Sequence, residues 1–592
     1  MTQWNYPRIL CLLVCLLAVA AWVEPAKAAL VLDLGYIDTQ SAAFDRFENW
    51  ATPALPPTSQ LPYAFSATDA VYLYVKTGQS SWGQLAAQLV EAQVAAAEAA
   101  YGGQPPARPE IAGDSYLEAG PMLRDLALVY AWCPSFVTPG QRARWAAYAE
   151  QTVYNIWNPT LASWGGHSFP WSGWSIDNPG NNYYYSFLQA SMFWGFAKDT
   201  GGTDWIAFLR TNKIPPLVAY FQQLPGGGSR EGTGYGLSHA RLFELYELWR
   251  QSTPEHEVLG DDSSHLLDSI DYWRHATLPT RDRYAPIGDL ARESYPSLYD
   301  YHRTLVLKAR QAAAAVAGGS AAANRASWWL HHISLPEVQS GFNLRDDLLP
   351  AGTTETAPTT LVYHATGVGH FFARSDWSPE ATWMSFVAGP YEESHAHQDQ
   401  GAFTLFRGDF LAVTENIFSH SGIQQGTEVH NVLRFENAGQ IVPQQNATTS
   451  LSWQPSGAQI RAAANLSPFY ASSGLVHSWQ RDLVFDAGQL EVHDLYSTEP
   501  GVETFFQIET PVEPIVVGNV IQAGALTIRP LVPANPVIEI LPWPTVDAQE
   551  FGSGYRVSLS GASGEFRVRL ETGATLFADG FESGTTAAWT QP

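Results

Sequence analysis

The spacing of apolar residues changes once along the chain, so its two halves must be built from different secondary structure. From about residue 83 to 333, apolar residues recur three or four positions apart, as in amphipathic helices; one such stripe contains Leu85, Leu89, Val94 and Tyr101. Beyond residue 360 the apolar runs are short and alternating, and turns separate them, as in 483–493. The first half therefore predicts helical hairpins arranged as a ring or a bundle. The second half predicts antiparallel sheets stacked as a sandwich.

The stretch between the two halves shows neither period and is rich in Pro, Gly and Thr, which is typical of a linker. The last residues of the chain are small and polar and lack both patterns. After an N-terminal leader at 1–28, we therefore predict a helical domain at 29–335, a linker at 336–360, a β-sandwich domain at 361–575 and a polar tail at 576–592.

The leader is typical of a bacterial secretory signal peptide. Arg8 precedes an apolar run over 9–23, and Ala26-Lys27-Ala28 is a small-x-small cleavage site. The run is short for a membrane span, and no later segment reaches the ~18–20 apolar residues that a span requires. We expect a periplasmic or secreted protein with no membrane span. Only Cys133 lies outside the leader, so we expect no internal disulfide.

The charge of the chain limits its partners. It has 57 acidic and 32 basic residues and a formal net charge of −25. The leader carries Arg8, Lys27 and Glu24, a net charge of +1, so its removal leaves −25 − 1 = −26. This charge argues against nucleic acid or an anionic membrane as the partner. A polyanionic substrate would need a locally basic cleft.

The densest group of reactive side chain types is the segment His395-Ala396-His397-Gln398-Asp399. On an extended segment, His395, His397 and Asp399 would project to the same side, because side chains alternate. Two imidazoles and a carboxylate suit a metal site or proton transfer. With His430 and Glu415 on predicted neighbouring strands, they suit zinc. The simpler alternative is a polar sheet face whose histidines are hydrogen-bonded.

Two segments of the helical half carry further candidates, and each directly precedes a predicted helix. The glycine-rich stretch 226–234 predicts a flexible loop that ends at Tyr235, whose hydroxyl could donate or accept a proton. Asn181-Asn182-Tyr183 contains amides that could hydrogen-bond a carboxylate. Capping by Asn and packing of Tyr at a helix start explain the same residues without any function.

Together these motifs resemble the heparinase II/III-like polysaccharide lyases and the related alginate lyases. The resemblance covers most of the chain after the leader, and its strongest parts are 369–377, His395-x-His397-x-Asp399-x-Gly401-x-Phe403, 408–415 and His430-Asn431. It implies an α+β multidomain architecture, with an N-terminal α/α toroid of helical hairpins and a C-terminal antiparallel β-sandwich. It also implies that an acidic polysaccharide binds between the two domains and is cleaved by β-elimination.

The resemblance implies roles for individual residues. Asn182 and His395 would contact the uronate carboxylate, and Tyr235 would be the catalytic tyrosine. A zinc ion, expected to be structural, would be held by His397, Glu415 and His430. We expect further contacts to the substrate from Tyr183, Glu231 and Arg374.

The sequence departs from the family's pattern at three places. Tyr183 follows Asn182 where His is common, and Glu415 stands where Asp is usual. The family often has a Tyr between the second and third metal ligands, whereas 416–429 contains no Tyr and only His420.

Three other functions stay open on the sequence alone. A metal-dependent hydrolase is one, since His-x-His also opens amidohydrolase barrels, although the motif lies near the N-terminus there. A glycoside hydrolase on a helical toroid is another, with Glu231 and Asp177 as its two carboxylates. The third is a non-catalytic carbohydrate-binding relative. Product absorbance separates these classes, because only a lyase creates an unsaturated uronyl end.

Overall fold

The computed structural model describes residues 29–199, 201–253, 256–259, 263–289, 300–316, 318–335, 344–414, 425–548, 551–561 and 563–573. The predicted signal peptide, the polar tail, part of the linker, Glu415 and His420 lie outside the described residues.

The N-terminal part of the described chain is helical, as the sequence predicts. The capping box of Thr138 and Gln141 begins a helix whose first residue is Pro139. Among the described residues, no helix is long and apolar enough to cross a membrane. The helices, α1 to α12, are Ala42–Ala51, Ala67–Thr77, Ser80–Gly102, Ala119–Trp132, Pro139–Trp157, Asn182–Ala197, Trp205–Asn212, Ile214–Phe221, His239–Ser252, His265–Ala276, Asp300–Ala315 and Ser320–His332.

The C-terminal part consists of antiparallel strands, and one small hairpin, β1–β2, lies in the helical part. The strand–turn–strand predicted around 486–489 is confirmed by the pairing of β14 with β15. The strands, β1 to β22, are Ser163–Trp164, His167–Ser168, Val362–Ala365, His370–Arg374, Trp383–Val387, Pro390–Tyr391, Phe403–Arg407, Asp409–Ala412, Leu433–Asn437, Gln440–Ile441, Ala447–Thr448, Leu451–Ser456, Gln459–Asn465, Val476–Asp486, Gln489–Thr498, Val502–Thr510, Ile515–Val517, Val520–Ala523, Leu526–Val532, Val537–Pro542, Tyr555–Ser560 and Glu565–Glu571.

The strands form three larger sheets. Their strand orders are β3-β4-β5-β7-β8, β12-β13-β14-β15-β22-β19-β18-β17 and β10-β9-β16-β21-β20. The first sheet contacts the helices. On one of its faces, Phe372 and Trp383 belong to the hydrophobic core of the helical part. On the other, Phe371 and Phe386 belong to a second core that also contains residues of the eight-stranded sheet. Burial on both faces explains why β4 and β5 are almost continuous apolar runs.

The glycine-rich loop before Tyr235 is packed against α10 and β3, which contradicts the prediction of a flexible loop. A Cβ on Gly226, where φ is +88°, would lie 2.5 Å from Cα of Ala365. A Cβ on Gly227 would lie 2.4 Å from the backbone nitrogen of Ser269. The Tyr363 hydroxyl also donates to the Gly226 carbonyl at 3.0 Å. Glycine is needed because backbones meet here, and the contact fixes the loop relative to the first sheet.

The described part of the predicted linker begins as a 3₁₀ turn attached to the helices. Leu344 is buried in the helical core. Arg345 forms an ion pair with Asp69 of α2, and Asp347 forms one with Arg303 of α11. Beyond residue 350 the residues are mostly exposed, but the chain still contacts the helical part, since Glu355 bonds His331 and His332 of α12.

Candidate active site

Tyr235 of the helical part and His395 of the sheet part stack face to face. Tyr235 begins the 3₁₀ turn Tyr235–Ser238 directly before α9. Its ring centroid lies 3.5 Å from that of the His395 imidazole, and the two planes differ by 7°. Both side chains are partly exposed. The contact unites two residues that the sequence predicts from separate motifs.

A buried carboxylate, Asp289, connects the two histidines of the His-x-His motif. Its Oδ2 lies 2.8 Å from Nδ1 of His395, and its Oδ1 lies 2.8 Å from Nε2 of His397. Gln425 Nε2 donates to the same two oxygens at 3.1 and 3.2 Å. Burial raises the pKa of Asp289, but the hydrogen bonds from His395 and His397 outweigh it and lower the pKa to about 2. An ionised Asp289 requires a proton on Nδ1 of His395 and leaves Nε2 for another partner.

The segment with the histidines is not the extended strand that the sequence predicts. Residues 393–400 form turns and irregular backbone. His395 and His397 converge because Asp289 accepts from both, and strand alternation plays no part. Asp399 is buried and hydrogen-bonds Gln400 at 3.5 Å instead. Its burial raises the pKa of Asp399 to about 6.

The predicted amide group lies at the N-terminus of α6. Asn181 caps this helix, because its Oδ1 accepts from the Tyr183 backbone N–H at 3.2 Å. The Asn181 amide also donates to Oε1 of Glu231 at 3.1 Å. Asn182 is the first residue of the helix, and its Oδ1 is buried with no hydrogen-bond partner among the described residues. Capping therefore explains Asn181 and leaves Asn182 for a ligand.

Glu231 is fully buried, and burial together with the nearby carboxylate of Glu393 raises the pKa of Glu231 well above its ordinary value. Its Oε2 has no hydrogen-bond partner among the described residues. Burial therefore favours the protonated, neutral form of this side chain, which lies beside the helix that begins with Asn182.

We predict that Glu231→Gln raises the free energy of unfolding at pH 7.5 and leaves it nearly unchanged at pH 4. The unfolded carboxyl ionises above its ordinary pKa of 4.5, while the folded protein keeps it protonated. Wild-type stability therefore falls as the pH rises from 4.5 toward the folded pKa, and the amide avoids this loss. Urea unfolding at both pH values measures the difference, with exposed Glu503→Gln as the control. A less stable Glu231→Gln protein at pH 7.5 would mean that the ionised form is required.

Tyr183 lies at the edge of this group. Its hydroxyl donates to Oδ1 of Asp114 at 2.9 Å. Burial and this bond raise the pKa of Tyr183 above its ordinary value, so the phenol is a donor and is unsuited to act as a base. Asp114, Ser115 and Tyr116 have φ values of +40°, +52° and +65°. Three successive non-glycine residues in the left-handed region store strain, which is typical of functional sites.

His397 and His430, two of the predicted metal ligands, lie together, with 5.2 Å between their ring centroids. Nδ1 of His397 and Nε2 of His430 are buried and have no hydrogen-bond partner among the described residues. Their opposite nitrogens bond Asp289 and the Thr414 hydroxyl. In each imidazole, one nitrogen has no described partner and the other is fixed by a hydrogen bond. This arrangement fits two ligands of a metal ion. No three His, Cys, Asp or Glu side chains of the described residues could hold a metal, so a metal at this place would need a ligand outside them, such as the predicted Glu415.

Arg374 lies away from this cluster and contradicts the expectation that it binds substrate. Its side chain is only 2% exposed, and its Nη2 donates to the carbonyls of His275 and Thr277 at 3.0 and 2.8 Å. The guanidinium also lies over the ring of Trp377, 3.7 Å from its centroid. Arg374 therefore joins the end of α10 to the first sheet.

The carboxylate pair of a glycoside hydrolase finds no support in this geometry. Asp177 is exposed and forms an ion pair with Lys213 at 2.7 Å. Glu231 is fully buried, burial raises its pKa, and its Oε1 accepts a hydrogen bond from Asn181. A water molecule cannot lie between two carboxylates of which one is closed off from solvent.

Asp289, whose carboxylate joins His395 to His397, was not predicted from the sequence. The only local signal is the preceding glycine. A Cβ on Gly288 would lie 2.7 Å from the Glu231 carbonyl oxygen and 2.9 Å from that of His395, and its φ is +74°. Three segments meet at this glycine, but a Gly-Asp pair is too common in sequences to identify such a site.

No protein-family model matches the sequence, and neither does any curated protein. Solved structures match the fold. Heparan sulfate lyase HepC from Pedobacter heparinus is 15% identical, with 86% of this chain and 75% of that chain covered and a TM-score of 0.56. A crystal structure of heparinase III is 10% identical, with 93% and 88% covered and a TM-score of 0.61. A helical N-terminal part followed by antiparallel sheets is thus the fold of heparinase-like polysaccharide lyases, which confirms the predicted resemblance at the level of the fold.

Proposed function

We propose that this protein is a polysaccharide lyase that cleaves a uronate-containing acidic polysaccharide by β-elimination. The observation that carries the proposal is the stacking of Tyr235 on His395, with Asp289 holding the imidazole. The similarity in fold to heparan sulfate lyase and heparinase III supports it. In this proposal the helices form an α/α toroid, the sheets form a β-sandwich, and the polymer binds between them.

The reaction breaks the C5–H bond of the uronate and the bond from C4 to the bridging oxygen, and it forms a C4–C5 double bond. The C5 proton is only weakly acidic, so the negative charge that develops on the carboxylate must be stabilised. The Asn182 amide and the His395 imidazole would supply hydrogen bonds to that carboxylate. Asp289 accepts from Nδ1 of His395 at 2.8 Å, which orients the ring with Nε2 available to the substrate carboxylate. Tyr235 would take the C5 proton, protonate the leaving oxygen, or do both.

We further propose a zinc ion held by His397, His430 and Glu415. Bound zinc would supply a structural cross-link between the segments that carry these residues. Because Asp289 accepts from both His397 and His395, a fixed His397 would also fix the orientation of His395.

We predict about one zinc per chain in the purified protein, and His397→Ala should lose the metal and lower the melting temperature. His493→Ala, which removes a partly exposed histidine bonded to Glu565, is the matched control and should keep the metal. Elemental analysis and thermal unfolding measure both effects. Full zinc content in the His397→Ala protein would contradict this ligand assignment.

The substrate class also fits the proposed cellular location. The residues at 1–28 predict export, and acidic polysaccharides are polymers found outside the cytoplasm. We therefore propose a periplasmic or secreted enzyme, which fractionation of expressing cells would test by locating the mature chain.

A screen of alginate, glucuronan, hyaluronan, heparan sulfate and chondroitin for new ultraviolet absorbance tests the proposed reaction. We expect at least one polymer to give an unsaturated product. New reducing ends without absorbance would instead indicate a glycoside hydrolase, and binding without cleavage would indicate a carbohydrate-binding protein. Either of these results would overturn the lyase proposal.

A further inference from the structure

Eleven residues line a small hollow inside the helical part, and four of them are basic while two are acidic, although the chain as a whole has more acidic than basic residues. We call it the basic hollow. Its volume is about 90 Å³, enough for one carboxylate or sulfate group, given that a water molecule takes roughly 30 Å³ in the liquid. The lining residues on which the argument depends are Arg124, Arg241, Lys308, Arg345, Glu244 and Asp346.

Most of these cations have an anionic partner. Arg345 forms an ion pair with Asp69. Arg124 lies 3.6 Å from Glu244, and Lys308 lies 3.9 Å from the same carboxylate. One glutamate therefore faces two cations, and both contacts are long for an ion pair. Nε of Arg124 is also buried with no hydrogen-bond partner among the described residues.

Arg241 differs from the other three cations. Its guanidinium makes no hydrogen bond or ion pair with a described residue, although the side chain is largely enclosed. Burial lowers the pKa of Arg241, and the charges of Glu118 and Glu244 only partly oppose this shift. A buried cation without a partner is costly, and an anion from outside the chain would remove the cost.

The basic hollow lies close to the candidate active site. Arg241 is in the first turn of α9, and the 3₁₀ turn that begins with Tyr235 leads directly into this helix. Glu118, the residue before α4, acts electrostatically on both Arg241 and Tyr183. A polymer bound at Tyr235 and His395 could therefore place the acidic group of a neighbouring sugar near Arg241.

We propose that the basic hollow is a substrate subsite, in which Arg241 binds a carboxylate or sulfate group of the sugar next to the one that loses its C5 proton. The proposal rests on the proposed lyase function and specifies how an acidic protein recognises an acidic polymer. It makes Arg241 a determinant of substrate binding, whereas Tyr235 and His395 act on the reacting sugar.

The test compares Arg241→Gln with wild type on the polymer that gives an unsaturated product. If a charge-assisted hydrogen bond is equally strong in the ground state and the transition state, its loss raises KM and leaves kcat unchanged. We expect KM to rise about 10- to 100-fold, with kcat within about threefold of wild type, and Arg241→Lys to restore part of the loss. Arg461→Gln is the control, because Arg461 is an exposed arginine of β13 with no hydrogen bond or ion pair to a described residue.

The melting temperature separates binding from folding. Because Arg241 has no ion pair with a described residue, Arg241→Gln should have a melting temperature at or above that of wild type. A raised KM in a stable protein therefore supports the subsite. A KM within twofold of wild type for Arg241→Gln would overturn it. A larger effect on sulfated than on unsulfated polymers identifies a sulfate as the bound group, and an equal effect on both identifies a carboxylate.

A binding experiment distinguishes failure of the subsite from failure of the lyase function. Oligosaccharides of the same polymers are titrated calorimetrically into Tyr235→Phe, which should not cleave them, and into Tyr235→Phe/Arg241→Gln. A higher Kd for the double variant than for Tyr235→Phe supports the subsite even if wild type forms no unsaturated product. Equal affinities overturn the subsite while product formation still supports the lyase, and absence of binding to Tyr235→Phe overturns both.

Discussion

Tyr235→Phe is expected to lower the rate of unsaturated-product formation by about 10²- to 10⁴-fold, the usual contribution of a general acid or base. The change removes only the hydroxyl. The phenyl ring can still stack on His395, so the fold and the melting temperature should be preserved. The initial rate of ultraviolet absorbance on the active polymer measures the effect.

Tyr154→Phe is the matched control for this prediction, because Tyr154 is an exposed tyrosine of α5. Its activity should equal that of wild type. If Tyr235→Phe retains activity within threefold of wild type, Tyr235 takes no part in proton transfer, and Tyr183 or His420 would become the next candidates.

Asp289→Asn should also reduce turnover, by about 10²- to 10⁴-fold, while the protein stays folded. An amide has one acceptor oxygen, whereas the carboxylate accepts from both histidines at 2.8 Å. The variant therefore keeps an acceptor for only one of the two rings, and its NH₂ group must face the other. The wrong tautomer of a catalytic histidine is known to cost a comparable factor in other enzymes.

Asp271→Asn is the control, because it also removes a carboxylate that has two partners. Asp271 of α10 forms ion pairs with Arg274 of the same helix and with Arg325 of α12. This variant should lose some stability and keep its turnover per folded molecule. Turnover by Asp289→Asn at the level of this control would show that His395 does not depend on Asp289.

The helical half and the strand half follow from local physics that a sequence displays. The 3.6-residue period, the capping box at Thr138 and the turn at 486–489 each act within a few residues, and the structure has them where they are predicted. The predicted flexibility of the glycine loop was wrong, because the need for Gly226 comes from Ala365, far away in the sequence.

The candidate site was predictable only in part, for the same reason. Tyr235, Asn182 and His395 stand in motifs that the sequence displays, and the structure brings Tyr235 and His395 into contact. Arg374 stands in an equally strong motif, but it is buried and its Nη2 donates to the backbone carbonyls of His275 and Thr277. A motif specifies the type of a side chain and leaves its partner undetermined.

The sequence by itself determined the order of the two halves, the positions of most helix and strand signals, and the histidine and tyrosine motifs. The tertiary structure alone decided that Asp289 joins His395 to His397, that burial raises the pKa of Glu231, and that Arg241 forms no ion pair with a described residue. Periodicity and capping depend on neighbours within about one turn of the chain. Ionisation and hydrogen-bond partners depend on burial and on charges that folding brings together from distant segments.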